Sequence, residues 1–488
     1  MEGQGPQRVL TGVSGLDEIL QNGFISGQAY LTRGGTGTGK TTLGMHYLGT
    51  GVAQQEPTLL ITLGEPEQRL RRNAANIGID LEGISVLDLT PSKEYFAENL
   101  TYDIFSPADV EREPTTQKIM AEVKRIQPQR VFIDSMTQFR YLATDNFQFH
   151  QQVLSFIRFL TDQGCTVLLT SESTATNADD DLQFLCDGVI DLAYNRSEDL
   201  RTLEIIKFRG SDFRGGTHVV RLTHVGMSVF PRLRPESFGN EFVSESISSG
   251  VPEIDELLHG GIERGTVTVV TGSTGVGKTT FGLQFMKEAA GRGERSVVYS
   301  FEENKETMLH RCEGVNIPVA AMLEQDTLSV VQVEALLLSP DEFAQQVRQE
   351  VEQNQARIVM IDSISGYQLS IRGGELIKRL HALCRYLQNM GVTVILVNET
   401  ETITGEFKAT GMGISYLADN IIFLRHLEVR SELHKAIGVL KKRLSGFENT
   451  LREFEITRYG LKVGPPLTNL RRILSGIPDW TDESTQER

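Results

Sequence analysis

The chain has 488 residues, of which 39% are hydrophobic and 23% are charged, and its formal net charge is −16. This composition excludes a disordered chain and is typical of a soluble protein with two large domains. No apolar run approaches the roughly 20 residues of a membrane-spanning helix. The first residues, MEGQGPQRVLTG, lack the basic start and apolar core of a signal peptide. We therefore expect a cytoplasmic protein without a membrane partner.

Two further properties narrow the class of protein. The negative net charge argues against nucleic acid as the main partner. The four cysteines are scattered without a C-x-x-C pair, which argues against a disulfide framework or a cysteine metal site. We expect the cysteines to be small apolar residues in or near cores.

In chain order, the first long motif returns in the second half of the chain. The stretch GVSGLDEILQNGFISGQAYLTRGGTGTGKTTLG, from Gly12, aligns without a gap with GVPEIDELLHGGIERGTVTVVTGSTGVGKTTFG, from Gly250. Further on, RVFIDSMT matches RIVMIDSIS, CTVLLTSE matches VTVILVNE, and TLEIIKFRGS matches KAIGVLKKRLS. A repeat of this length indicates duplication of a whole domain, since solenoid repeats span only about 20–50 residues.

Each half alternates short apolar runs with helical stretches such as QFHQQVLSFIRFLTDQG. Continuous apolar runs of this kind predict a mainly parallel sheet that is covered on both faces. The fold class is therefore α/β, with a doubly wound domain present twice. We place the first domain at residues 1–240 and the second at 241–474, followed by a polar tail, 475–488, that we expect to be mobile.

Each half contains the phosphate-binding pattern G-x-x-x-x-G-K-[ST], at Gly34–Thr41 and at Gly272–Thr279. Each pattern follows an apolar strand and opens a helix, so its backbone N–H groups and the helix N-terminus can bind phosphate oxygens. The lysines are expected to reach the β- and γ-phosphates of ATP. The predicted nucleotide-binding residues are Gly35, Thr36, Gly37, Thr38, Gly39, Lys40, Thr41, Thr42, Ser273, Thr274, Gly275, Val276, Gly277, Lys278, Thr279 and Thr280.

A magnesium ion normally accompanies such a nucleotide, held by the loop hydroxyl and by an aspartate at the end of a neighbouring strand. Thr41 and Thr279 supply the hydroxyls, and RVFID and RIVMID end in Asp134 and Asp362. An aspartate in this position is also an ordinary turn residue.

Hydrolysis needs a group that orients or deprotonates the attacking water. The strand SVVYSF is followed by Glu302 and Glu303, and its counterpart TLLITL is followed by Gly64 and Glu65. Ligands bind at such strand ends in open α/β sheets. The alternative is that these are solvated loop glutamates.

Together, these motifs resemble the KaiC family of RecA-like ATPases, best known as the cyanobacterial clock protein. The resemblance covers nearly the whole chain, from TGVSGLDEIL to RRILSGIP. It implies two tandem RecA-like P-loop domains and a homohexameric double ring with ATP at each subunit interface. It also implies that four cations act on the ATP of the neighbouring subunit: Lys207, Arg209, Lys441 and Arg443.

The chain also departs from the family pattern. Gly64 stands where the family usually has the first of two glutamates, so hydrolysis in the first domain is expected to rest on Glu65. In the second domain, Glu302 matches the general base of the family for protein phosphorylation. Ser415 matches the first of two phosphorylated hydroxyls, Tyr416 replaces the second, and Thr410 matches a threonine further upstream. A KaiB-like protein is a possible partner by family analogy.

Two other functions compete with a clock-type ATPase and autokinase. RecA-like cores also process DNA, but the stretches TSESTATNADDDLQF and NETETITGEFKATGMG are acidic and would repel phosphates. A nucleotide-gated scaffold with little turnover is the second alternative, because slow ATPases can act mainly by changing shape.

Overall fold

The computed structural model describes residues 6–90, 107–140, 145–174, 177–178, 180–372, 374–400, 416–429, 432–468, 470–471 and 479–480. The chain divides into two compact units, of which the first ends at Arg232 and the second begins at Leu233. Each unit is built around one large sheet.

The first unit alternates strands and helices as far as Leu185 and ends in four consecutive strands. The strands that the structure describes are β1 (Arg8–Val9), β2 (Phe24–Ile25), β3 (Ala29–Gly34), β4 (Thr58–Thr62), β5 (Ser85–Asp88), β6 (Arg130–Asp134), β7 (Thr166–Thr174), β8 (Asn177–Ala178), β9 (Gly188–Asn195), β10 (Leu200–Phe208), β11 (Thr217–Thr223) and β12 (Gly226–Phe230). The helices are α1 (Ser14–Ile19), α2 (Lys40–Ala53), α3 (Glu67–Asn76), α4 (Pro107–Ile126), α5 (Met136–Arg140), α6 (Asn146–Asp162) and α7 (Asp180–Leu185).

The main sheet of this unit has the strand order β12-β11-β10-β9-β3-β7-β6-β4-β5. Strands β9, β3, β7, β6, β4 and β5 are parallel, whereas β10, β11 and β12 are added as antiparallel strands at one edge. Alternate residues of β3 enter different cores: Tyr30 packs on one face of the sheet, and Ala29 and Leu31 pack on the other. Burial on both faces explains the continuous apolar runs in the sequence.

The second unit repeats this order of elements. Its strands within the described residues are β13 (Ser246–Ile247), β14 (Ile262–Glu263), β15 (Val267–Gly272), β16 (Ser296–Ser300), β17 (Leu328–Gln332), β18 (Ile358–Asp362), β19 (Thr393–Glu399), β20 (Asn420–Val429), β21 (Glu432–Lys442), β22 (Arg452–Thr457), β23 (Gly460–Pro466), β24 (Leu470–Arg471) and β25 (Asp479–Trp480). The helices are α8 (Pro252–Leu257), α9 (Lys278–Gly291), α10 (Lys305–Glu313), α11 (Val319–Glu324), α12 (Pro340–Glu352), α13 (Ile364–Ser370) and α14 (Leu376–Asn389), with a 3₁₀ turn at Pro235–Ser237.

The large sheet of the second unit has the order β17-β16-β18-β19-β15-β20-β21-β22-β23, which is the topology of the first unit. The strands from β17 to β20 are parallel, and β21, β22 and β23 extend the sheet as antiparallel strands. The predicted fold class, two tandem doubly wound α/β domains with mainly parallel sheets, is confirmed. In the part of the chain that the structure describes, no helix is long and apolar enough to cross a membrane.

The stretch RLRPESFGNE, residues 232–241, spans the predicted domain boundary and packs onto the second unit. Leu233 and Phe238 lie against the core on the α12 and α14 side of the sheet. The backbone N–H of Asn240 donates to the carbonyl of Asn389, at the end of α14, over 2.9 Å.

Candidate nucleotide-binding sites

The first glycine-rich loop connects β3 to α2 at the carboxyl edge of the sheet. Gly39 precedes α2 with φ of 104°, and Gly37 has φ of 77°, both in the left-handed region that favours glycine. A Cβ atom at Gly37 would meet no atom within 4 Å, so the loop has open space beside it. Lys40, the first residue of α2, bends back and donates to the carbonyls of Gly34 and Gly35 over 2.7 and 2.9 Å.

The second loop repeats this geometry between β15 and α9. Gly277 and Gly275 have φ of 114° and 74°, and a Cβ atom at Gly275 would also meet open space. Lys278 donates to the carbonyl of Ser273 over 2.8 Å. Burial lowers the pKa of the Lys278 ammonium, as it does for Lys40, so an anionic ligand would compensate a charge that is poorly solvated.

Each loop borders a cavity. The cavity of the first unit has a volume of about 320 Å³ and that of the second about 340 Å³. Five of the predicted binding residues have buried side chains: Thr38, Ser273, Val276, Lys278 and Thr280. All the predicted residues lie in the loops or in the first turn of the following helix: Gly35, Thr36, Gly37, Thr38, Gly39, Lys40, Thr41, Thr42, Ser273, Thr274, Gly275, Val276, Gly277, Lys278, Thr279 and Thr280.

The predicted magnesium ligands are adjacent in both units. Thr41 Oγ1 donates to Asp134 Oδ2 over 2.7 Å, and Thr279 Oγ1 donates to Asp362 Oδ2 over the same distance. A hydroxyl beside one carboxylate fits Mg²⁺, which takes oxygen ligands and keeps several waters. The two aspartates have different surroundings. Asp134 also accepts a hydrogen bond from Thr170 over 2.6 Å. Burial raises the pKa of Asp362 to about 6.

The two glutamates of the second unit have different partners. Glu302 Oε1 accepts from Ser363 Oγ over 2.6 Å and lies in the cavity beside Lys278. Glu303 is bound by Arg311 through two hydrogen bonds of 3.0 and 2.7 Å. Of the two carboxylates, Glu302 is therefore the better placed to contact a ligand in the cavity, because both oxygens of Glu303 are bound by Arg311.

The first unit has a single acidic side chain in this place. Gly64 corresponds to Glu302, and Glu65 accepts from Arg69 over 2.9 Å and from Asn73 over 2.8 Å. Asn73 stands where the second unit has Arg311, so Glu65 lacks the two-bond arginine pair of Glu303.

The predicted trans-acting lysines lie away from the loop of their own unit. In the register of the sheet, with one strand between them, Lys207 lies level with Leu31, and Lys441 lies level with Val269. Each aligned residue lies three positions before the glycine that ends the strand, which is about 10 Å along the sheet.

The side chains of these lysines also point towards the amino ends of the central strands. Lys207 donates to the carbonyls of Gln183 and Cys186 over 3.0 and 2.6 Å. Lys441 donates to the carbonyl of Ala418 over 2.5 Å. In the part of the chain that the structure describes, these contacts lead away from the phosphate loop of the same unit.

The two arginines share this edge of their sheets. Arg209 lies 3.8 Å from Asp187, and Arg443 lies 3.2 Å from Asp419. Their side chains are 60% and 54% exposed, so both guanidinium groups are accessible to a neighbouring molecule.

Sequence analysis missed four residues that contact the loops, among them His426, which lies 3.1 Å from Ser273 Oγ. Arg201 donates to the carbonyl of Gly37 over 3.0 Å, and Lys435 donates to that of Gly275 over 3.3 Å. Glu399 accepts a hydrogen bond from Thr274. The sequence contained a signal for Arg201 and Lys435, because the alignment that matches Lys207 to Lys441 also matches these two cations to each other.

The phosphorylation candidates, Ser415 and Thr410, lie outside the described residues. Tyr416 is described: its side chain is exposed, and its ring lies 5.4 Å from that of His381. All four cysteines are free and buried, as expected from the sequence.

Two tandem α/β units, each with a phosphate loop facing a threonine–aspartate pair, define the class of P-loop nucleotide-binding proteins. A family model described as "ATPase: KaiC" matches the chain twice, at residues 9–234 and 247–468. The chain therefore belongs to the KaiC family of ATPases.

Several curated relatives of the chain are circadian clock oscillator proteins. The circadian clock oscillator protein KaiC of Parasynechococcus marenigrum is 26% identical, over 98% of this chain and 95% of that protein. The protein of the same name from Synechococcus elongatus is also 26% identical, over 98% of this chain and 93% of its own. KaiC 1 of Synechocystis is 26% identical, over 97% and 92%.

Proposed function

We propose that the chain binds Mg-ATP in both units and hydrolyses it as a regulatory, clock-type ATPase. The observation that carries this proposal is the repeated constellation of a glycine loop, a lysine and a threonine–aspartate pair with the same 2.7 Å hydrogen bond. Mg²⁺, held by that pair, would neutralise charge on the phosphates. The loop N–H groups and the lysine orient the γ-phosphoryl group.

Hydrolysis in the two units would use different carboxylates. In the second unit, Glu302 takes a proton from the attacking water, since Glu303 is paired with Arg311. In the first unit, the same step rests on Glu65. Turnover is expected at the slow end of the usual range, below about 1 s⁻¹.

We further propose that the active form is a homohexameric ring with ATP between subunits. The four cations at the amino edges of the sheets support the ring, because their described contacts are with residues outside the phosphate loop of their own unit. A neighbour can supply them: Lys207 and Arg209 in the first ring, and Lys441 and Arg443 in the second. A cation supplied in this way offsets charge that develops on the transferred phosphoryl group. A KaiB-like protein remains a candidate partner by family membership.

A second activity, autophosphorylation, is favoured by the Glu302 carboxylate of the second unit, whose partner is the Ser363 hydroxyl and not an arginine. In this step, the Ser415 hydroxyl attacks the γ-phosphorus, its proton passes to Glu302, and the bond to the β–γ bridging oxygen breaks to release ADP. We propose Ser415 as the main acceptor and Thr410 as a minor one. Tyr416 is expected to stay unmodified, because its hydroxyl lies at the far end of a rigid ring.

One set of measurements separates these activities. Intact-mass analysis after incubation with Mg-ATP, with and without phosphatase, detects a phosphoprotein, and phosphate release measures hydrolysis. Lys278→Ala should abolish second-unit chemistry, and Lys40→Ala should weaken nucleotide binding in the first unit. A protein that neither hydrolyses ATP nor gains mass would instead be a nucleotide-gated scaffold.

A further inference from the structure

The first unit contains an apolar groove between α4 and α6 that the nucleotide site does not use. Its volume is about 410 Å³, and the lining is dominated by apolar side chains. Met120 and Ile119 line it from α4, Phe156 and Phe159 from α6, and Phe139 from α5 between them. A groove of this size and character suits a large apolar side chain.

In the second unit, the corresponding place is occupied by a segment of the chain itself. The ring of Phe238 lies 5.0 Å from that of Tyr386 on α14, at an interplanar angle of 88°. The guanidinium of Arg348 on α12 lies 4.8 Å from the same ring. Asn389 Nδ2 fixes the backbone of this segment by donating to the carbonyl of Pro235 over 2.9 Å.

The internal repeat shows that these two places are equivalent. The alignment of RVFID with RIVMID pairs Met120 with Arg348, and the alignment of CTVLLTSE with VTVILVNE pairs Phe159 with Tyr386. The two residues that hold Phe238 in the second unit therefore have counterparts that line the groove in the first.

The groove of the first unit is the more apolar of the two. In the second unit, Glu352 accepts hydrogen bonds from Arg348 and from the Tyr386 hydroxyl. Polar groups therefore surround the place where Phe238 packs. In the first unit, these three positions are Met120, Lys124 and Phe159. A thioether and a phenyl ring both pack favourably against an aromatic side chain and need no hydrogen-bond partner.

We propose that this groove binds an extended peptide segment of a partner protein, with a phenylalanine of that segment in the place that Phe238 takes in the second unit. The template for the backbone is the linker RLRPESFGNE, residues 232–241. Lys124 and Arg158 are exposed on the two bordering helices, which favours an acidic residue beside the anchor, as Glu236 is beside Phe238. This interaction is independent of ATP hydrolysis.

The test uses the full chain and a fluorescein-labelled synthetic peptide of sequence RLRPESFGNE. Fluorescence anisotropy should show saturable binding, and replacing the peptide phenylalanine by alanine should weaken it at least tenfold. Met120→Glu, which places a carboxylate in the groove, should also weaken binding at least tenfold. Gln117→Glu adds the same charge on an exposed position of α4 that does not line the groove, and should change the affinity less than twofold.

Photo-crosslinking locates the peptide. Benzoylphenylalanine at the anchor position should crosslink to α4 and α6 of the first unit. Crosslinks to α12 and α14 would mean that the peptide displaces the linker of the second unit, and they would overturn the proposal. So would an absence of binding to the wild-type chain.

Two further outcomes would assign the groove to another occupant. If Met120→Glu changes the oligomeric state in light scattering and leaves peptide affinity unchanged, the groove is an interface between copies of this chain. If a small apolar dye binds there and the peptide does not compete with it, the groove is a small-molecule site. Either result contradicts the peptide proposal.

Discussion

At the level of single residues, the two glutamates that follow β16 show how a neighbour decides which carboxylate can do chemistry. Glu302 has a hydroxyl partner, Ser363, whereas Glu303 has a cationic one, Arg311. An ion pair stabilises the charged form of a carboxylate and lowers its tendency to take a proton. The sequence presents the pair as equivalent, and the three-dimensional contacts distinguish them.

We therefore predict unequal effects of Glu302→Gln and Glu303→Gln on ATP turnover by the second unit. Glu302→Gln should lower turnover by roughly 10²–10⁴, the usual contribution of a general base. Glu303→Gln should lower it much less, because its main loss is the pair with Arg311. Phosphate release is measured in a Glu65→Gln background, so that the first unit contributes little. Equal losses would contradict the assignment of the base.

The first unit allows a matching prediction for Glu65. In a variant with glutamine at both Glu302 and Glu303, the residual turnover should come from the first unit. Adding Glu65→Gln should reduce it further, since Gly64 offers no carboxylate. Asp80→Asn, a charge-neutralising change at an exposed position of the same unit, serves as the control. Turnover that is unchanged by Glu65→Gln would move the water-orienting role to another residue.

At the level of elements, each phosphate loop is covered by the antiparallel strands at the edge of its sheet. Gly277 lies beneath β22, where a Cβ atom would come within 2.3 Å of Ile456 Cδ1. In the first unit, a Cβ atom at Gly39 would come within 2.7 Å of Met227 Cε on β12. These strands therefore constrain the loop as well as extend the sheet.

This packing predicts different costs for two glycine substitutions in one loop. Gly275→Ala places a Cβ at a positive φ in open space and should destabilise the second unit by about 1–2 kcal/mol. Gly277→Ala adds the clash with Ile456 and should cost about 1–3 kcal/mol more. Thermal unfolding without nucleotide measures both. Ile456→Val removes the clashing methyl and should recover part of the extra loss; a lack of coupling in this double-mutant cycle would contradict the packing.

The sequence predicted the parallel core because β3, β4, β6 and β7 are buried on both faces and so appear as apolar runs. It also predicted both loops, since their chemistry is local. It did not predict that Lys435 contacts the loop, because that contact joins residues 160 positions apart. Nor could a polar linker indicate that Phe238 packs between two helices, which depends on the groove that the folded helices create.

At the level of the whole molecule, the proposed ring gives the edge cations a role in the site of a neighbouring subunit. Arg443 is more than half exposed and pairs with Asp419, at the opposite end of the strands from the phosphate loop. ATP bound between subunits would add contacts on both sides, so Mg-ATP should favour the assembled ring by mass action. Light scattering with Mg-ATP and after nucleotide removal tests this. A monomer in saturating ATP would contradict the ring.

If Arg443 acts on the neighbour, activity should be recovered when two inactive variants are mixed. Arg443→Ala subunits keep Lys278 and can bind ATP, but they lack the cation that their neighbours need. Lys278→Ala subunits lack the loop lysine but still present Arg443. In a mixed ring, an interface has both groups wherever an Arg443→Ala subunit supplies the loop and a Lys278→Ala subunit supplies the arginine. Second-unit turnover, measured in a Glu65→Gln background, should therefore exceed the sum of the two variants alone.

Mixing Arg443→Ala subunits with subunits that carry both Lys278→Ala and Arg443→Ala is the matched control. This mixture forms no interface with both groups, so it should show no recovery, although the number of ATP-competent loops is the same. Recovery in the control would mean that the recovery does not depend on Arg443. Its absence in the first mixture, when native mass spectrometry of a mass-labelled variant shows mixed rings, would mean that Arg443 acts within its own subunit. That result is difficult to reconcile with the placement of Arg443 at the far edge of the sheet, and it would require a large rearrangement of β21 on ATP binding.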